Sequence, residues 1–489
     1  MRKKGLSERS WMPILLSVSF IALFLFSIIF IRTGRTGFPY PNGESYYNLR
    51  MSEEIYLDVL FSEDTLQGRM YYPNPFHYLA AYARDLLGSE KMKVCLPVLL
   101  GVMTAFLFYR LLSMLGFPKK NAIFAMLLLV ASPAFVSTFT SLSINSLVIT
   151  LSFLALVTYF SKSYWDAPWK NAGKVSFAIA LVTLTILSLT SIYAFFLTII
   201  FMLLISIFES RSLKTLLISS SIPFLVLIPI FLFTNFISTT LNSFDFQAAT
   251  LSSLLSILGA KSGFDLFVLI LFFTGLIIIW FFIKRIRPYH VAVLLISLAS
   301  VFSPLLRIYA SMAMLVYCVV AIKHLYYRKW ELEVVKLGTT FLLVCALVFS
   351  SLSYANMIIN SEPGPELIGV ATQLKSMPFG VLLTEPEYGF LFQEYSGKKT
   401  ILDGQSMNFK DYALKLYRYD SILNSSRIKD ALPFLKESKV SYILITPGMK
   451  ESLWAGKEEK ALFLVRNSER FESLAATDSG FELWYFRPE

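Results

Sequence analysis

The sequence predicts a polytopic α-helical membrane protein that ends in a soluble α/β domain, on the strength of its composition, hydropathy and charge distribution. Hydrophobic residues make up 55% of the 489 residues and charged residues 16%, whereas soluble domains carry roughly 25% charged residues. The net charge is +11. Residues 1–359 contain 28 Lys and Arg and 15 Asp and Glu, whereas residues 360–489 contain 16 Lys and Arg and 18 Asp and Glu. Because the positive excess lies in the apolar part, it indicates membrane orientation and argues against a nucleic-acid-binding protein.

Apolar segments long enough to cross a bilayer recur through residues 1–359, which we assign to the membrane domain. Two stretches, 175–208 and 289–323, are too long for one helix. Because the basic loops on both sides of each stretch should stay cytoplasmic, each is predicted to leave and return as a short hairpin of two helices. No cleavage site follows the first apolar segment, and we expect it to stay as an uncleaved helix. The total is about 11 spans, the single ones being near 11–31, 94–115, 121–139, 144–162, 213–236, 264–283 and 335–358.

Basic loops set the predicted orientation, because Lys and Arg in short loops stay on the cytoplasmic side. With Met1 in the cytoplasm, five basic loops fall on that side: 110–120, 161–174, 209–214, 284–287 and 324–329. The chain is thus predicted to be a multi-pass protein of the cell (plasma) membrane, with residues 360–489 extracytoplasmic. The first outer loop, 32–93, holds eight of the 15 acidic residues that precede residue 360.

The C-terminal segment 360–489 is predicted to form an extracytoplasmic α/β domain. Its four apolar runs rich in β-forming residues are 379–384, 399–402, 440–445 and 481–486. Helix-like stretches with apolar residues at three-to-four spacing, such as SRIKDALPFLKESK, lie between them. Strands that alternate with helices favour a partly parallel sheet.

The first candidate site lies in the first outer loop, in the segment PNGESYYNLR at 41–50. The carboxylate of Glu44 could coordinate a divalent cation (Mg²⁺ or Mn²⁺) through oxygen, or act as a general base toward an acceptor. Tyr46, Tyr47 and Arg50 follow it and are predicted to bind the substrate. A structural salt bridge between Glu44 and Arg50 is the competing interpretation.

The second candidate site is His77, in the segment MYYPNPFHYLAAYARDLLG at 70–88. The chain has three histidines, and His290 and His324 lie at a span end and beside a basic loop, so neither offers a second metal ligand. We predict that His77 binds the substrate. The alternative is a histidine packed at the membrane interface.

Several motifs follow one another in a characteristic order. An acid, a Tyr-Tyr pair and an Arg come after the first span, a Tyr-Pro-His segment precedes the second, and SPAFVSTFTSLSINSL at 132–147 follows the third. In the tail, Glu387-Tyr388-Gly389 precedes Lys398-Lys399 and Asp403. This order resembles the catalytic-subunit family of oligosaccharyltransferases and, more widely, the C-type membrane glycosyltransferases that use lipid-linked sugars. The resemblance implies a substrate-binding role for Tyr388.

The sequence departs from that family at three motifs, one of which is the glutamate that the family usually has in the outer loop corresponding to 237–263. The family places a metal-binding acidic pair between the third and fourth spans, but residues 133–145 contain no Asp or Glu. Asn145 occupies the corresponding place, and the resemblance makes Asn145 and Glu44 the predicted metal ligands. The tandem tryptophans that help recognise the acceptor sequon are absent, since Glu385 and Pro386 precede Glu387. Peptide N-glycosylation is therefore doubtful.

Arg307, in SPLLRIYASM, is the third candidate. A charged arginine inside a membrane segment costs free energy, so its presence there indicates a functional role. The family places an arginine in a comparable late span to hold the donor phosphate, which a guanidinium binds bidentately. The competing interpretation is an arginine that reaches the membrane surface or pairs with a loop acid.

The resemblance implies a membrane glycosyltransferase that moves a sugar or oligosaccharide from a polyprenyl (di)phosphate carrier to a protein or glycan acceptor at the outer face. Its predicted partners are the polyprenyl-phosphate-linked donor, the acceptor and the lipid bilayer, with no nucleic acid. The alternatives are a degenerate non-catalytic homologue that binds lipid-linked glycan, or a membrane transporter. A transporter favours polar or broken helices at mid-membrane, whereas here the charges concentrate toward the predicted outer face.

Overall fold

The computed structural model describes residues 11–58, 63–71, 74–161, 171–208, 254–256, 263–282, 288–408, 411–452 and 460–487. The predicted span 213–236 and the basic loops 209–214 and 284–287 lie outside the described residues. The chain divides into two compact units. The helical unit comprises Met1–Ile31, Asn74–Phe76 and Leu87–Ile359, and the sheet unit comprises Arg32–Pro73, His77–Leu86 and Asn360–Glu489. Most of the predicted outer loop therefore groups with the tail.

The helical unit is built from apolar helices, which follow from long runs without charge. Four of the described helices are long and apolar enough to cross a membrane, or five if one bent pair counts as a single span. The predicted number of about 11 spans is therefore not confirmed. The four are Met12–Thr36, Ser89–Met114, Pro304–Tyr327 and Glu333–Asn360; shorter helices are Ile144–Phe160, Asn171–Thr190, Ile192–Phe208, Leu266–Phe282 and Pro288–Ala299.

The two long apolar stretches are each divided into two helices, as predicted. The first divides at Ser191, between Asn171–Thr190 and Ile192–Phe208, and the second divides between Ala299 and Pro304. In the second case Pro304 occupies the first turn of the new helix, where its missing N–H costs no hydrogen bond.

The predicted single span at 121–139 is interrupted. Helical residues Lys119–Ala131 and the helix Pro133–Phe139 meet at a bend of 73°. Ser132 caps the second helix by accepting a hydrogen bond from the Phe135 amide (3.3 Å). Pro133 then starts that helix, because proline suits the first helical position and cannot continue the preceding hydrogen-bond ladder. Hydropathy alone does not register this break, since both sides of it are apolar.

The sheet unit contains a five-stranded mixed sheet, with strand order β4–β3–β5–β7–β6. Its strands are β3 (Val381–Leu383), β4 (Lys399–Thr400), β5 (Val440–Ile445), β6 (Phe471–Ala476) and β7 (Glu482–Phe486), after a separate antiparallel hairpin of β1 (Glu63–Asp64) and β2 (Arg69–Met70). Strand β3 pairs in parallel with β4 and β5, whereas β7 is antiparallel to β5 and β6. The predicted strands and the partly parallel sheet are confirmed.

Strand β6 was not predicted, because its sequence FESLAA has little of the apolar pattern of a buried strand. It lies at the edge of the sheet and most of its side chains are at least partly exposed. Edge strands need only one hydrogen-bonded neighbour, so their hydrophobic signal is weak.

The core of the sheet unit includes Leu383, Leu435 and Ile443, each almost fully buried, and residues of the helices Tyr412–Asn424, Ile428–Glu437, Pro447–Ser452 and Lys460–Asn467. The other helices of this unit are Gly43–Leu57, most of Pro75–Leu87, Glu366–Ser376 and Pro386–Ser396. The predicted helix SRIKDALPFLKESK corresponds to Ile428–Glu437, which begins later because Arg427 is extended. The helix Gly43–Leu57 packs against Pro386–Ser396, and we call it the first-loop helix.

Candidate functional site

The first-loop helix begins directly after a Pro-Asn-Gly turn and carries Glu44 in its first turn. Asn42 is extended at the N-cap position, and the Ser45 hydroxyl donates a hydrogen bond to its side-chain oxygen. A carboxylate in the first turn is favoured by the positive end of the helix dipole. The backbone at Gly43 lies so close to the Glu387 carbonyl oxygen that a Cβ there would be 2.7 Å from it, which explains the glycine. The turn therefore places Glu44 beside the helix Pro386–Ser396.

The carboxylate of Glu44 is open to solvent, although most of the helix that carries it is buried. Desolvation by the surrounding protein raises the pKa of Glu44, and a hydrogen bond with Asn48, one turn later, opposes that rise. Solvent at the exposed side chain limits the desolvation. An accessible carboxylate with a raised pKa is a better proton acceptor than an ordinary surface glutamate.

His77 lies in the interior of the sheet unit, with 2% of its surface exposed. Its Nδ1 is 2.8 Å from the Tyr71 hydroxyl and its Nε2 is 2.8 Å from Oδ1 of Asn48. Burial lowers the pKa of His77 to about 3, so the ring is neutral at physiological pH. The structure thus gives both ring nitrogens protein partners, and the contact with substrate stays a prediction.

The two adjacent tyrosines of the first-loop helix are both buried. The Tyr46 hydroxyl donates to the Tyr40 carbonyl oxygen (2.8 Å), and its ring packs edge-on against Phe38. The ring of Tyr47 contacts that of Phe390 (centroids 4.9 Å apart) and lies under the guanidinium of Arg69, which is 5.0 Å from its centroid. These contacts pack the helix, and the predicted substrate-binding roles of both tyrosines stay predictions.

Arg50 pairs with Asp64, and not with Glu44 as the competing interpretation of the sequence supposed. Its two terminal nitrogens donate to the two carboxylate oxygens of Asp64 at 2.6 and 2.7 Å, and Glu54 is more distant at 3.9 Å. A bidentate guanidinium–carboxylate pair is the strong geometry for this contact. Arg50 is therefore not available as an ion-pair partner for Glu44.

Asp64 also links the first outer loop to the tail through Arg69, a residue that the sequence did not single out. Arg69 donates to Asp64 (3.0 Å) and to both carboxylate oxygens of Asp403 (3.0 and 3.1 Å). Gln393 donates to the same Asp403 carboxylate at 3.0 Å. Arg69, Asp64, Gln393 and Asp403 are all buried, so these charges compensate one another out of water.

Tyr388, the tail residue implied by the family resemblance, lies in the first turn of the helix Pro386–Ser396 and is half-buried. Its hydroxyl donates a hydrogen bond to the carboxylate of Glu362, and its ring packs edge-on against Phe481 (centroids 5.7 Å apart). These two contacts fix the orientation of the Tyr388 side chain. Its contact with the substrate stays a prediction.

The helical unit contains the remaining predicted site residues, Arg307 and Asn145. Arg307 is buried in the first turn of Pro304–Tyr327, where Nε donates to the Ser300 carbonyl (3.1 Å) and a terminal nitrogen to the Val301 carbonyl (3.3 Å). Asn145 is half-buried in the first turn of Ile144–Phe160, and its backbone amide donates to the Ser143 hydroxyl (3.2 Å).

The described residues contain no group of three or more His, Cys, Asp or Glu side chains that could hold a metal ion. The predicted ligands Glu44 and Asn145 belong to different units, so neither unit alone brings them together. The predicted Mg²⁺ or Mn²⁺ site therefore stays a prediction.

No protein-family model matches the chain, and no curated protein matches it by sequence. Solved structures do match its fold. Oligosaccharyltransferase AglB from Archaeoglobus fulgidus, tethered to an acceptor peptide, matches with a TM-score of 0.63 and 13% identity over 97% of this chain and 74% of that chain. ArnT from Cupriavidus metallidurans, bound to undecaprenyl phosphate, matches with a TM-score of 0.57 and 12% identity over 96% and 97%.

A third match is the mycobacterial arabinofuranosyltransferase AftD, with a TM-score of 0.55 and 14% identity over 96% of this chain and 40% of that chain. The three neighbours are thus an oligosaccharyltransferase, ArnT bound to undecaprenyl phosphate and an arabinofuranosyltransferase. At this identity the likeness shows the fold, which is the fold expected from the order of the sequence motifs.

Proposed function

We propose that this protein is a membrane glycosyltransferase that transfers a sugar or oligosaccharide from a polyprenyl phosphate or diphosphate to an acceptor at the outer face of the membrane. The observation that carries the proposal is the fold match over nearly the full length of both chains to ArnT, whose structure contains undecaprenyl phosphate. An AglB structure likewise contains a dolichol phosphate, so two neighbours share a lipid phosphate as ligand.

In this proposal, Glu44 is the general base. An acceptor hydroxyl would attack the anomeric carbon of the donor, the bond from that carbon to the phosphate oxygen would break, and Glu44 would take the hydroxyl proton. The open position and raised pKa of the carboxylate support this role. The tandem tryptophans of peptide-glycosylating relatives are absent, and this favours a glycan or other hydroxyl acceptor over a peptide amide.

Arg307 would stabilise the negative charge that develops on the leaving phosphate. Carbonyl groups of Ser300 and Val301 orient its guanidinium at the start of a helix, which preorganises the positive charge before the substrate arrives. We further propose that residues 1–359 form the membrane domain with a cytoplasmic N-terminus, and that 360–489 lie outside as an α/β domain that helps to select the acceptor.

The proposal is tested by assaying membranes for transfer from a radiolabelled polyprenyl-phosphate-linked sugar to endogenous acceptors. Glu44→Gln keeps the size of the side chain but cannot accept the proton, so we expect turnover to fall by roughly 10²–10⁴-fold. The matched control is Glu63→Gln, which removes another exposed acid of the same loop and should leave turnover unchanged.

Turnover of Glu44→Gln at the wild-type rate would remove Glu44 from the chemistry. Wild-type membranes that transfer no sugar from any polyprenyl-linked donor, but still bind the labelled lipid, would instead favour a non-catalytic homologue. The first outcome would contradict the role of Glu44 but leave the protein a transferase. The second would contradict the transferase activity itself.

A further inference from the structure

The turn at residues 323–336 of the helical unit combines positive side chains with aromatic rings, and we call it the basic-aromatic turn. It joins the helix Pro304–Tyr327 to the helix Glu333–Asn360, both of which are long and apolar enough to cross a membrane. Its side chains are exposed or half-buried, and the cations outnumber the acids. The cations are Lys323, Arg328, Lys329 and Lys336, the acids are Glu331 and Glu333, and the rings are Tyr326, Tyr327 and Trp330.

Three of these cations lie over aromatic rings of the same turn, within the roughly 6 Å at which a cation is attracted to the face of a ring. The pairs are Lys336 with Tyr326 (4.5 Å from Nζ to the ring centroid), Arg328 with Trp330 (5.8 Å from Cζ) and Lys323 with Tyr327 (6.0 Å from Nζ). The Trp330 indole is itself held, because its Nε1 donates to the Leu325 carbonyl oxygen (2.8 Å). The rings of Tyr326 and Tyr327 pack edge-on, with centroids 5.2 Å apart.

The positive charges of the turn are not neutralised by acids. Within the described parts of the chain, none of its four cations forms a salt bridge. An aromatic ring attracts a cation through its quadrupole and carries no net charge that could cancel it. The three cations over rings are therefore held in place and still available to an anion, unlike Arg50, whose charge Asp64 neutralises.

An apolar stripe on the helix Glu333–Asn360 continues from the basic-aromatic turn. Its six side chains recur at three-to-four spacing, so they lie on one face of the helix, and each is more than half exposed. They are Val334, Leu337, Phe341, Val344, Val348 and Leu352. Acyl chains of lipids are as apolar as leucine and suit such a face. The turn and the stripe thus offer adjacent surfaces to a charged headgroup and to its hydrocarbon chains.

We propose that the basic-aromatic turn binds the headgroup of an anionic phospholipid, whose acyl chains lie along the apolar stripe. A guanidinium such as that of Arg328 can bind a phosphate bidentately, and an ammonium such as that of Lys336 binds it as a point charge. Tyrosine and tryptophan are common at the level of the headgroups. Because residues 324–329 are predicted to be cytoplasmic and transfer is proposed at the outer face, this lipid is distinct from the sugar donor.

Charge favours a lipid over a second copy of the chain as the occupant of this surface. Two copies that met symmetrically through the apolar stripe would place the same patch of each against the other, and their basic-aromatic turns would repel. An anionic headgroup is attracted instead, with a gain in affinity of about fivefold for each Lys or Arg near it.

The inference is tested by native mass spectrometry of the full-length protein in detergent micelles. The protein is titrated with palmitoyl-oleoyl-phosphatidylglycerol or with palmitoyl-oleoyl-phosphatidylcholine, which has the same acyl chains and no net charge. We expect the first phosphatidylglycerol to bind roughly tenfold or more tightly than the first phosphatidylcholine.

Two triple variants remove the same charges from different loops. The test variant combines Lys323→Gln, Arg328→Gln and Lys336→Gln, and it should lose the preference for phosphatidylglycerol. The matched control combines Arg110→Gln, Lys119→Gln and Lys120→Gln. Its three cations are exposed, lie in another basic loop on the same predicted side and contact no aromatic ring among the described residues. We expect the control to keep the preference to within about twofold.

A further pair of variants separates the rings from the charges. Tyr326→Leu with Trp330→Leu keeps every cation but removes two rings, and the preference should fall by about fivefold or more. Tyr326→Phe keeps the ring and should bind like the wild type. Because these side chains are exposed or half-buried, the variants should unfold near the wild-type temperature, and Tyr326→Leu alone serves as the test if the double variant does not fold.

Equal affinities of the wild type for the two lipids would overturn the inference, as would equal losses in the two triple variants, which would reduce the effect to general electrostatics. A wild-type preference in the variant without the two rings would also contradict it. A dimer mass that phosphatidylglycerol does not displace would assign the surface to a second copy of the chain. None of these measurements requires sugar transfer, so their outcome is independent of the proposed glycosyltransferase activity.

Discussion

At the scale of single residues, side chains that are adjacent in the sequence have very different surroundings. Glu44 is open to solvent, whereas Tyr46 and Tyr47, two and three positions later, are buried in aromatic contacts. Arg50, one helical turn further, is neutralised by Asp64. The segment 41–50, which the sequence predicts as one candidate site, thus contains one exposed acid, Glu44, and buried side chains that pack the helix on which it lies.

Arg307 provides a prediction at the same scale. If its guanidinium binds the donor phosphate, Arg307→Gln removes the charge and should weaken the apparent affinity for the lipid-linked donor by roughly tenfold to a hundredfold, as expected for hydrogen bonds to charged groups. The measurement is KM for the labelled polyprenyl-phosphate sugar in nanodiscs.

The control for this variant is Arg307→Lys, which keeps the positive charge but loses the planar geometry of the guanidinium. We expect it to retain part of the affinity. An equal loss in both variants would indicate that Arg307 supports the turn at Ser300 through geometry alone, and a wild-type KM in both would exclude phosphate binding.

At the scale of elements, a buried ion network connects the hairpin β1–β2 and the first-loop helix to the segment that follows β4. Its anionic members are Asp64 and Asp403, and its cations are Arg50 and Arg69. Desolvation acts to raise the pKa of Asp64, but the hydrogen bonds and charges of Arg50 and the charge of Arg69 outweigh it, so the pKa is lowered. The network therefore favours the folded state only while Asp64 is ionised.

This lowered pKa predicts an acid-sensitive stability. The unfolded-state pKa of an aspartate is about 3.9, so the contribution of Asp64 is fully present above that pH and is lost as the pH falls through its lower folded pKa. Asp64→Asn should destabilise the sheet unit by about 3 kcal/mol at neutral pH, because buried Arg50 loses its bidentate partner and buried Arg69 keeps only Asp403. It should also flatten the dependence of the thermal midpoint on pH below about 4.

The comparison for Asp64→Asn is Glu472→Gln, which removes an ion pair with Arg487 in which both side chains are about half exposed. Exposed pairs contribute roughly 0–1 kcal/mol, so this variant should unfold close to the wild-type temperature. Intrinsic fluorescence of the full-length protein during heating measures both variants. Equal midpoints for the two would show that the buried network contributes no more than a surface pair.

At the scale of the whole molecule, the charge distribution makes a prediction about orientation. The basic loops at 110–120, 161–174, 209–214, 284–287 and 324–329 should face the cytoplasm, and the tail should face outward. Asp478 and Lys329 are both exposed, in the tail and in a basic loop. With the three native cysteines replaced by serine, Asp478→Cys should react with a membrane-impermeant maleimide on intact cells, whereas Lys329→Cys should react only after lysis. The opposite pattern would invert the proposed topology.

The fold was predictable from the sequence to the extent that its signals are local. Apolar runs, basic loops and strands such as VSYILI at 440–445 depend on neighbouring residues, so they could be read directly, and the strands they predicted are confirmed. The edge strand β6 and the bend at Ser132 were not predicted. Strand β6 has a weak apolar pattern, and the bend lies between two apolar segments.

The sequence by itself determined that this is a helical membrane chain with a mixed α/β tail, and it placed the acid Glu44 at the start of the first loop. Only the tertiary structure decided which charges and polar groups meet. Arg69 and Asp403 are 334 positions apart, and His77 and Asn48 are 29 apart. Burial makes such pairings obligatory, since an unpaired buried polar group is costly, but the choice of partner depends on which distant segments the packing brings together.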